Sequence, residues 1–277
     1  MTEIQASSLL GFESLAEFAE VKFYFEGCNA SLTQTRIGIV GTRDASAYGK
    51  ACARAFAEEF AKVGATIISG GAYGIDSAAH EGALSAQGST IAVTAGGLDR
   101  PYPARHSALF KKMEERGGVL TQYPLGVTPA KQNFLERNRV IAALSDVLVV
   151  IEAPERSGAL STAVAARQFG RPLFVVPAGI NMPSFAGSHS LIRHGAVLCD
   201  SPQQVINFLG LEAAQGTSAL ASSLGEEILN LLKKRSLLPE ILAEDLGQDL
   251  NDVLSELTLL ELDGKVFRDG PTYALSP

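Results

Sequence analysis

Short apolar runs recur along the first 210 residues of this 277-residue chain, and most of them end in a glycine-containing turn. Five segments show the pattern: 36–43, 65–71, 90–97, 146–151 and 172–177. Continuous apolar runs of this length are typical of strands that are covered on both faces, as in a parallel sheet. Between them lie segments with helical apolar spacing, namely 48–62, 75–86, 104–116, 135–144 and 158–169. The alternation predicts an α/β fold, an extended Rossmann-like, doubly wound and mostly parallel sheet that segment 188–207 completes.

The composition changes after about residue 210. We expect residues 1–34 to be a short N-terminal extension, 35–210 the Rossmann-like domain, and the small, polar stretch 211–223 a linker. Residues 224–277 contain three helical patterns (226–234, 238–246 and 249–262) and an alternating run (265–275) that Gly270-Pro271 interrupts. This order predicts a small winged-helix-like domain.

The net charge differs between the two parts. Residues 1–222 hold 18 Lys+Arg and 19 Asp+Glu, a net charge of −1, whereas residues 223–277 hold 5 and 11, a net charge of −6, and the sum is the −7 of the chain. A winged helix that binds DNA needs cations facing the phosphates. The second and third predicted helices carry carboxylates instead. We therefore expect a protein-contact or regulatory role for residues 224–277, with DNA binding as the alternative.

Several classes of protein are disfavoured. Cys28, Cys52 and Cys199 lie far apart, with no CxxC motif, which argues against a disulfide framework and a zinc site. The sequence lacks a secretory signal pattern and a predominantly apolar stretch of the ~20 residues that a membrane span needs. We expect a soluble, cytoplasmic protein without membrane association, metal or cofactor.

The predicted sheet presents glycines where its strands end. Ligands of open α/β sheets bind beyond the carboxyl ends of the strands. Those ends carry glycines in segments 41–43, 69–74, 96–97 and 157–158, where backbone amides and helix N-termini favour phosphate. Any one of these glycines alone is explained equally well by a tight turn, but the four segments on one rim favour an anion site. No strand is followed by GxGxxG and no GxxxxGK[ST] occurs, which argues against a dinucleotide-dependent dehydrogenase and excludes a P-loop NTPase.

Cations at the same rim support an anion site. Arg43 directly follows the first of these strands, and Lys131 precedes a segment with further arginines. Phe134 is a candidate for stacking with a nucleobase. The alternative pairs Arg139 with Glu136 in a surface ion pair and buries Phe134.

Catalytic motifs are weak. Asp76 and His80 lie four residues apart on one predicted helix face, a spacing that suits a general base and its orienting group. Such a pair more often locks a helix onto its neighbouring strands, which is the interpretation that we favour. His106, His189 and His194 show no metal-ligand spacing, and no GxSxG motif is present.

Short motifs recur in a fixed order along residues 39–196: IVGTR (39–43), SGGAYGID (69–76) with His80, YP (102–103), FLERNR (134–139) with ALS (143–145), SG (157–158), VP (176–177) and LIRHGA (191–196). This ordered set resembles the DprA/Smf family, the DNA-processing proteins of bacterial natural transformation. The resemblance implies a non-enzymatic homodimer, formed through its Rossmann-like domain, that binds single-stranded DNA, protects the incoming strand and loads RecA onto it.

The resemblance also implies a set of DNA-binding residues. In this family the phosphates bind at the GTR-type turn, the glycine-rich loop and the basic FxxRNR segment. With the Ser157-Gly158 turn added, the matching positions are Gly41, Thr42, Arg43, Gly70, Gly71, Tyr73, Lys131, Phe134, Arg137, Asn138, Arg139, Ser157 and Gly158.

Three features depart from the family pattern. Tyr73 stands where the glycine-rich loop usually has an arginine, and Thr121-Gln122 stands where the fourth strand usually ends in Ser-Glu. The N-terminal helical domain of longer members does not fit into 34 residues. The alternative function is a nucleotide-processing enzyme of the LOG phosphoribohydrolase type, although the PGGxGT loop of that family does not occur here.

Overall fold

The structure, a computed structural model, describes residues 2–5, 16–18, 20–32, 34–211, 224–233 and 235–276. The chain divides into two compact units, Met1–Ala214 and Gln215–Pro277. Apart from Leu211, the predicted linker lies outside the described residues.

The strands of the first unit form one mixed sheet. Among the described residues it has nine strands, β1 to β9: Thr2–Gln5, Lys22–Gly27, Arg36–Val40, Thr66–Ser69, Thr90–Val93, Gly118–Thr121, Val147–Val150, Leu173–Val175 and Val197–Leu198. Their spatial order is β1-β2-β6-β5-β4-β3-β7-β8-β9. β2 pairs antiparallel with β1 and β6, and the other neighbours pair in parallel. This confirms the predicted mostly parallel Rossmann-like sheet.

Two strands of the sheet come from the segment that we expected to be an N-terminal extension. β1 and β2 add to the edge of β6. The side chains of Phe23 and Phe25 alternate with more exposed neighbours along β2 and are buried. This half-buried alternation differs from the continuous apolar runs of the parallel strands, and the sheet therefore begins well before residue 35.

Helices cover both faces of the sheet. The described part of the first unit has seven α-helices, α1 to α7: Ala47–Lys62, Ile75–Ser85, Ser107–Arg116, Lys131–Leu144, Gly158–Gln168, Ala186–Arg193 and Pro202–Phe208. One core cluster joins α1, α2 and α7 to the sheet and another joins α4 and α5 to it. Helix α4 begins four residues before the predicted position 135, which places Lys131 and Phe134 on the helix. No helix in these ranges is both long and apolar enough to cross a membrane.

The second unit has its own core. It contains α8 (Leu224–Leu232), α9 (Pro239–Leu246) and α10 (Leu250–Leu262), followed by the antiparallel strands β10 (Val266–Asp269) and β11 (Thr272–Leu275). Ile228, Leu242 and Leu257 are fully buried within it. The predicted order of three helices and a hairpin is observed, and the winged-helix-like assignment stays a prediction.

Helix α2 carries Asp76 and His80, but the two side chains have different partners. His80 is fully buried, and its Nδ1 lies 2.6 Å from Oγ1 of Thr90, whose hydroxyl donates to the carbonyl of Ile67. Asp76 accepts a hydrogen bond from the amide of Ala72 instead. His80 thus ties α2 to β4 and β5, in agreement with the structural interpretation.

The burial of His80 predicts a pH-dependent contribution to stability. Burial lowers its pKa to about 3, whereas an unfolded histidine titrates near about 6.5. Between these values only the unfolded chain takes up the proton, so His80 lowers the free energy of unfolding by up to about 1.4 kcal/mol per pH unit as the pH falls.

The variant His80→Gln removes this titration and keeps a side-chain amide beside Thr90. We expect the parent to be more stable at pH 7 and the difference to shrink as the pH falls towards 4. Urea unfolding at several pH values measures it. A difference that does not change with pH would contradict the buried, neutral imidazole.

Candidate functional site

A pocket of about 320 Å³ opens at the carboxyl ends of β3 and β7. The strand order reverses here, because the chain proceeds from β3 to β4 on one side and adds β7 to β9 on the other. Open α/β sheets bind ligands at such a switch point. The sequence-predicted residues that line it are Gly41, Thr42, Arg43, Arg137, Asn138, Ser157 and Gly158.

Arg137 forms the floor of the pocket. Only 5% of it is exposed, and its Nη1 donates hydrogen bonds to the carbonyl of Gly70 and, at 2.8 Å, to that of Val93. A Cβ atom on Gly70 would lie 2.1 Å from this Nη1, so a larger residue there would force the Arg137 side chain to move. The guanidinium therefore joins α4 to the ends of β4 and β5, and it is not the exposed contact that the resemblance implied.

Asp76 accompanies Arg137 in the floor. Burial raises the pKa of Asp76 and lowers the pKa of Arg137, while the attraction between the two charges opposes both shifts. Gly70 and Gly71 are buried in the same region and do not line the pocket. The floor therefore holds one buried cation and one buried carboxylate of opposite charge, and the exposed cations lie elsewhere at the pocket.

Arg43 supplies an exposed cation at the mouth of the pocket. Its guanidinium carbon lies 4.9 Å from the centroid of the Phe134 ring, and that of Arg137 lies 5.8 Å from the same centroid. The ring of Tyr102 meets Phe134 edge-on with centroids 5.5 Å apart. Phe134 thus holds Arg43 by a cation–π contact, where we predicted a ring open to a nucleobase.

Two further predicted residues lie at the rim beyond the pocket. Lys131 is exposed at the start of α4, three residues before Phe134 and therefore on a neighbouring part of the same helix face. Tyr73, in the glycine-rich loop, is 42% exposed, and its ring meets that of His106 edge-on at 4.7 Å.

Arg139 points away from the pocket. Its Nε donates to Oε1 of Glu17 at 3.0 Å and its Nη1 donates to Oε1 of Gln168 at 2.8 Å, while its guanidinium stacks on the ring of Phe169. The ion pair with Glu17 replaces the pair with Glu136 that we weighed. Because Arg139 is two residues beyond Arg137, it lies on another face of α4. We therefore do not include Arg139 in the candidate site.

The backbone amides contribute less than the glycine motifs predict. The amide of Thr42 donates to the carbonyl of Glu152 at 2.7 Å, that of Ala72 donates to Asp76, and that of Ala159 donates to Oγ of Ser157 at 3.2 Å. These three donors are already satisfied within the protein. A phosphate at this pocket would not find these three amides free, which gives the side-chain cations a larger share in its recognition.

Arg156 is a candidate that the sequence analysis missed. It is exposed and lines the same pocket as Arg43, in the turn between β7 and α5. Its position directly before the Ser157-Gly158 motif was the available signal. Within the described part of the chain, neither Arg43 nor Arg156 has a carboxylate within ion-pair distance.

These features define a Rossmann-like α/β protein whose ligand crevice presents guanidinium groups in place of a dinucleotide-binding motif. The sequence pattern of the DNA recombination-mediator protein A family matches residues 14–210. The chain belongs to this family, as the ordered motifs indicated.

Known relatives agree with this assignment. Protein Smf of Escherichia coli is 36% identical over 261 residues, which cover 87% of this chain and 68% of the relative. A DNA processing protein of Mycobacterium tuberculosis is 48% identical over 172 residues, and the chain spans only 44% of that relative's length.

Solved structures of relatives have the same fold. DNA processing protein A of Streptococcus pneumoniae, at 36% identity, superposes with a TM-score of 0.64 over 67% of this chain and 65% of its own. The Helicobacter pylori protein, whose structure was described for its single-stranded DNA binding mode, gives 0.63 at 36% identity, over 68% of this chain and 86% of its own.

The attraction between the buried charges of Asp76 and Arg137, which are not in direct hydrogen-bond contact, predicts a coupling between the two groups. Removing one of two buried opposite charges leaves the other uncompensated, which for buried ion pairs typically costs about 3–5 kcal/mol. We expect Arg137→Met to destabilise the protein by that order. We expect the double variant with Asp76→Asn to recover part of the loss, as measured by chemical denaturation. Additive effects of the two substitutions would show that the groups do not interact.

Proposed function

We propose that this protein binds single-stranded DNA at the switch-point pocket and its rim, without chemical turnover, and passes the strand to the RecA recombinase. The observation that carries the proposal is the Arg43 guanidinium, held on Phe134 in a pocket that Arg156 also lines, with Lys131 one helical turn from Phe134. Guanidinium and ammonium groups that lack internal carboxylate partners are suited to phosphate oxygens.

The position of the cations favours a strand over a mononucleotide. Arg43 and Arg156 line the pocket, whereas Lys131 lies outside it along the rim. A ligand that contacts all three needs several phosphates in succession, which a polynucleotide provides. The single-stranded DNA binding of the Helicobacter pylori relative supports this ligand class.

The pocket offers poor groups for catalysis. Asp76 is buried, accepts the amide of Ala72 and lies beside Arg137, and His80 is fully buried behind it. Both serve the packing of α2. A phosphoribohydrolase would need a carboxylate that reaches the ribose, so we propose a binding protein and retain the enzyme as the alternative that the experiment tests.

The family description supports the recombinase partner, because it names a recombination mediator. We extend the proposal to protection of the bound strand, to a cytoplasmic location and to a homodimer formed through the Rossmann-like unit. Each of these is an expectation for the whole protein.

Removing the rim cations is expected to weaken binding to a single-stranded oligonucleotide. Arg43→Ala and Lys131→Ala should each reduce affinity by about tenfold or more, because a hydrogen bond to a charged group contributes about 1.5–3 kcal/mol. Each should also reduce the slope of log affinity against log salt by about 0.7, the contribution of one phosphate on a single strand. Fluorescence anisotropy over a salt series measures both quantities.

Arg139→Ala is the matched control, since this arginine lies on the same helix but faces Glu17. It should bind like the parent. If Arg43→Ala and Lys131→Ala also bind like the parent, the pocket is not the DNA site. Release of base from nucleoside monophosphates by the parent would favour the enzyme.

The acidic second unit is expected to contribute little to strand binding. The carboxylates of Glu240, Glu244, Asp249 and Asp252 are exposed on or beside α9 and α10, and negative charge repels phosphate. Truncation after Ala214 should therefore leave single-strand affinity within about threefold of the parent at moderate salt. A large loss on truncation, measured in the same anisotropy assay, would assign this unit a direct DNA contact.

A further inference from the structure

We propose that the segment between β5 and α3, together with Tyr73 of the glycine-rich loop, forms a second surface for the same strand, on which Tyr102 and Tyr73 stack with nucleobases and Arg105 contacts phosphate. The inference rests on the proposed function and extends it from phosphate binding to base binding. We call Tyr73, Tyr102, Arg105 and His106 the aromatic rim.

The ring that the sequence suggested for stacking is already occupied. The centroid of the Phe134 ring lies 4.9 Å from the Arg43 guanidinium carbon and 5.5 Å from the centroid of the Tyr102 ring, which it meets edge-on at an interplanar angle of 65°. A base that stacked on Phe134 would have to displace one of these groups. Tyr102 is itself 46% exposed and lies next to Arg43 through this contact, so it offers ring surface to a strand that Arg43 holds.

A second ring is fixed at the other end of the segment. Nδ1 of His106 donates a hydrogen bond to the carbonyl of Gly71 at 2.9 Å, which attaches the imidazole to the glycine-rich loop. The same imidazole meets the Tyr73 ring edge-on at 4.7 Å and the Phe110 ring at 6.4 Å. His106 is therefore a positioning residue that holds Tyr73 in place while 42% of the tyrosine stays exposed.

The two rings lie within reach of one short strand. Tyr102 and His106 lie four positions apart in the sequence, so their Cα atoms are at most about 14 Å apart even in a fully extended chain. Ala104–His106 forms a 3₁₀ turn, which shortens this distance. Both positions are tied to the carboxyl rim of the sheet, one through Phe134 and the other through Gly71.

The aromatic rim also carries a cation. Arg105 is exposed, and in the described residues no carboxylate lies within ion-pair distance of it, whereas the nearby Arg100 is paired with Asp99 at 3.5 Å. Rings alternating with cations along a groove are the chemistry by which proteins bind single strands without sequence preference. Under this proposal Tyr73 supplies a base contact and Arg105 a phosphate contact.

The test separates bases from phosphates. Binding of a thymidine oligonucleotide is compared with binding of an abasic strand of equal length, which keeps every phosphate and lacks every base. The parent should prefer the thymidine strand by about fivefold or more for each stacked base. Tyr102→Leu and Tyr73→Leu should each reduce this preference and leave the affinity for the abasic strand unchanged. Tyr102→Phe and Tyr73→Phe should retain the preference for the thymidine strand.

The remaining arms complete the test. Arg105→Gln should reduce the affinity for both strands by the same factor and reduce the slope of log affinity against log salt by about 0.7. Phe267→Leu, which replaces an exposed ring on β10, is the control and should leave the affinity for both strands unchanged. A parent that binds neither strand disproves the proposed function. The proposal of base stacking at the aromatic rim is overturned if the parent binds both strands equally. It is also overturned if the leucine variants keep the preference for the thymidine strand or lose affinity for the abasic strand. Neither outcome contradicts the phosphate site.

Discussion

The position of the exposed Arg43 guanidinium depends on the buried Arg137. Arg137 donates hydrogen bonds to the carbonyls of Gly70 and Val93, and these bonds attach α4 to the carboxyl ends of β4 and β5. Phe134, one turn earlier on α4, is thereby held where its ring receives the guanidinium of Arg43. The absence of a side chain at Gly70 leaves room for the Arg137 guanidinium in this position.

The charged side chains around the pocket fall into a buried group and a solvent-exposed group. Arg137 and Asp76 are buried near each other with opposite charges. Glu152 is buried as well, and its Oε2 accepts hydrogen bonds from the amide and the hydroxyl of Ser46 at 3.0 and 2.8 Å. Such hydrogen bonds and opposite charges offset part of the cost of burying a charge, so these groups serve the fold. The cations that face solvent, Arg43 and Arg156, keep their capacity to bind phosphate.

The backbone has a smaller role than in dinucleotide-binding sheets. There, amides at the first glycine turn remain free for a pyrophosphate. Here the amides of Thr42, Ala72 and Ala159 are satisfied by a carbonyl, a carboxylate and a hydroxyl of the protein itself. Recognition by long side chains suits a ligand that runs along the rim, because each cation can reach a different phosphate. The proposed aromatic rim follows from the same geometry.

The sequence determined the parallel part of the sheet, its helices and the rim on which the site lies, because apolar periodicity and glycine turns are local signals. It also identified Arg43, Asn138 and Ser157 as pocket residues. It did not separate Arg137 from Arg139, which are two residues apart on one helix, and it missed the antiparallel strands β1 and β2. Only the tertiary structure decided which guanidinium is buried under the pocket and which one pairs with Glu17, since that choice depends on contacts between residues far apart in the chain.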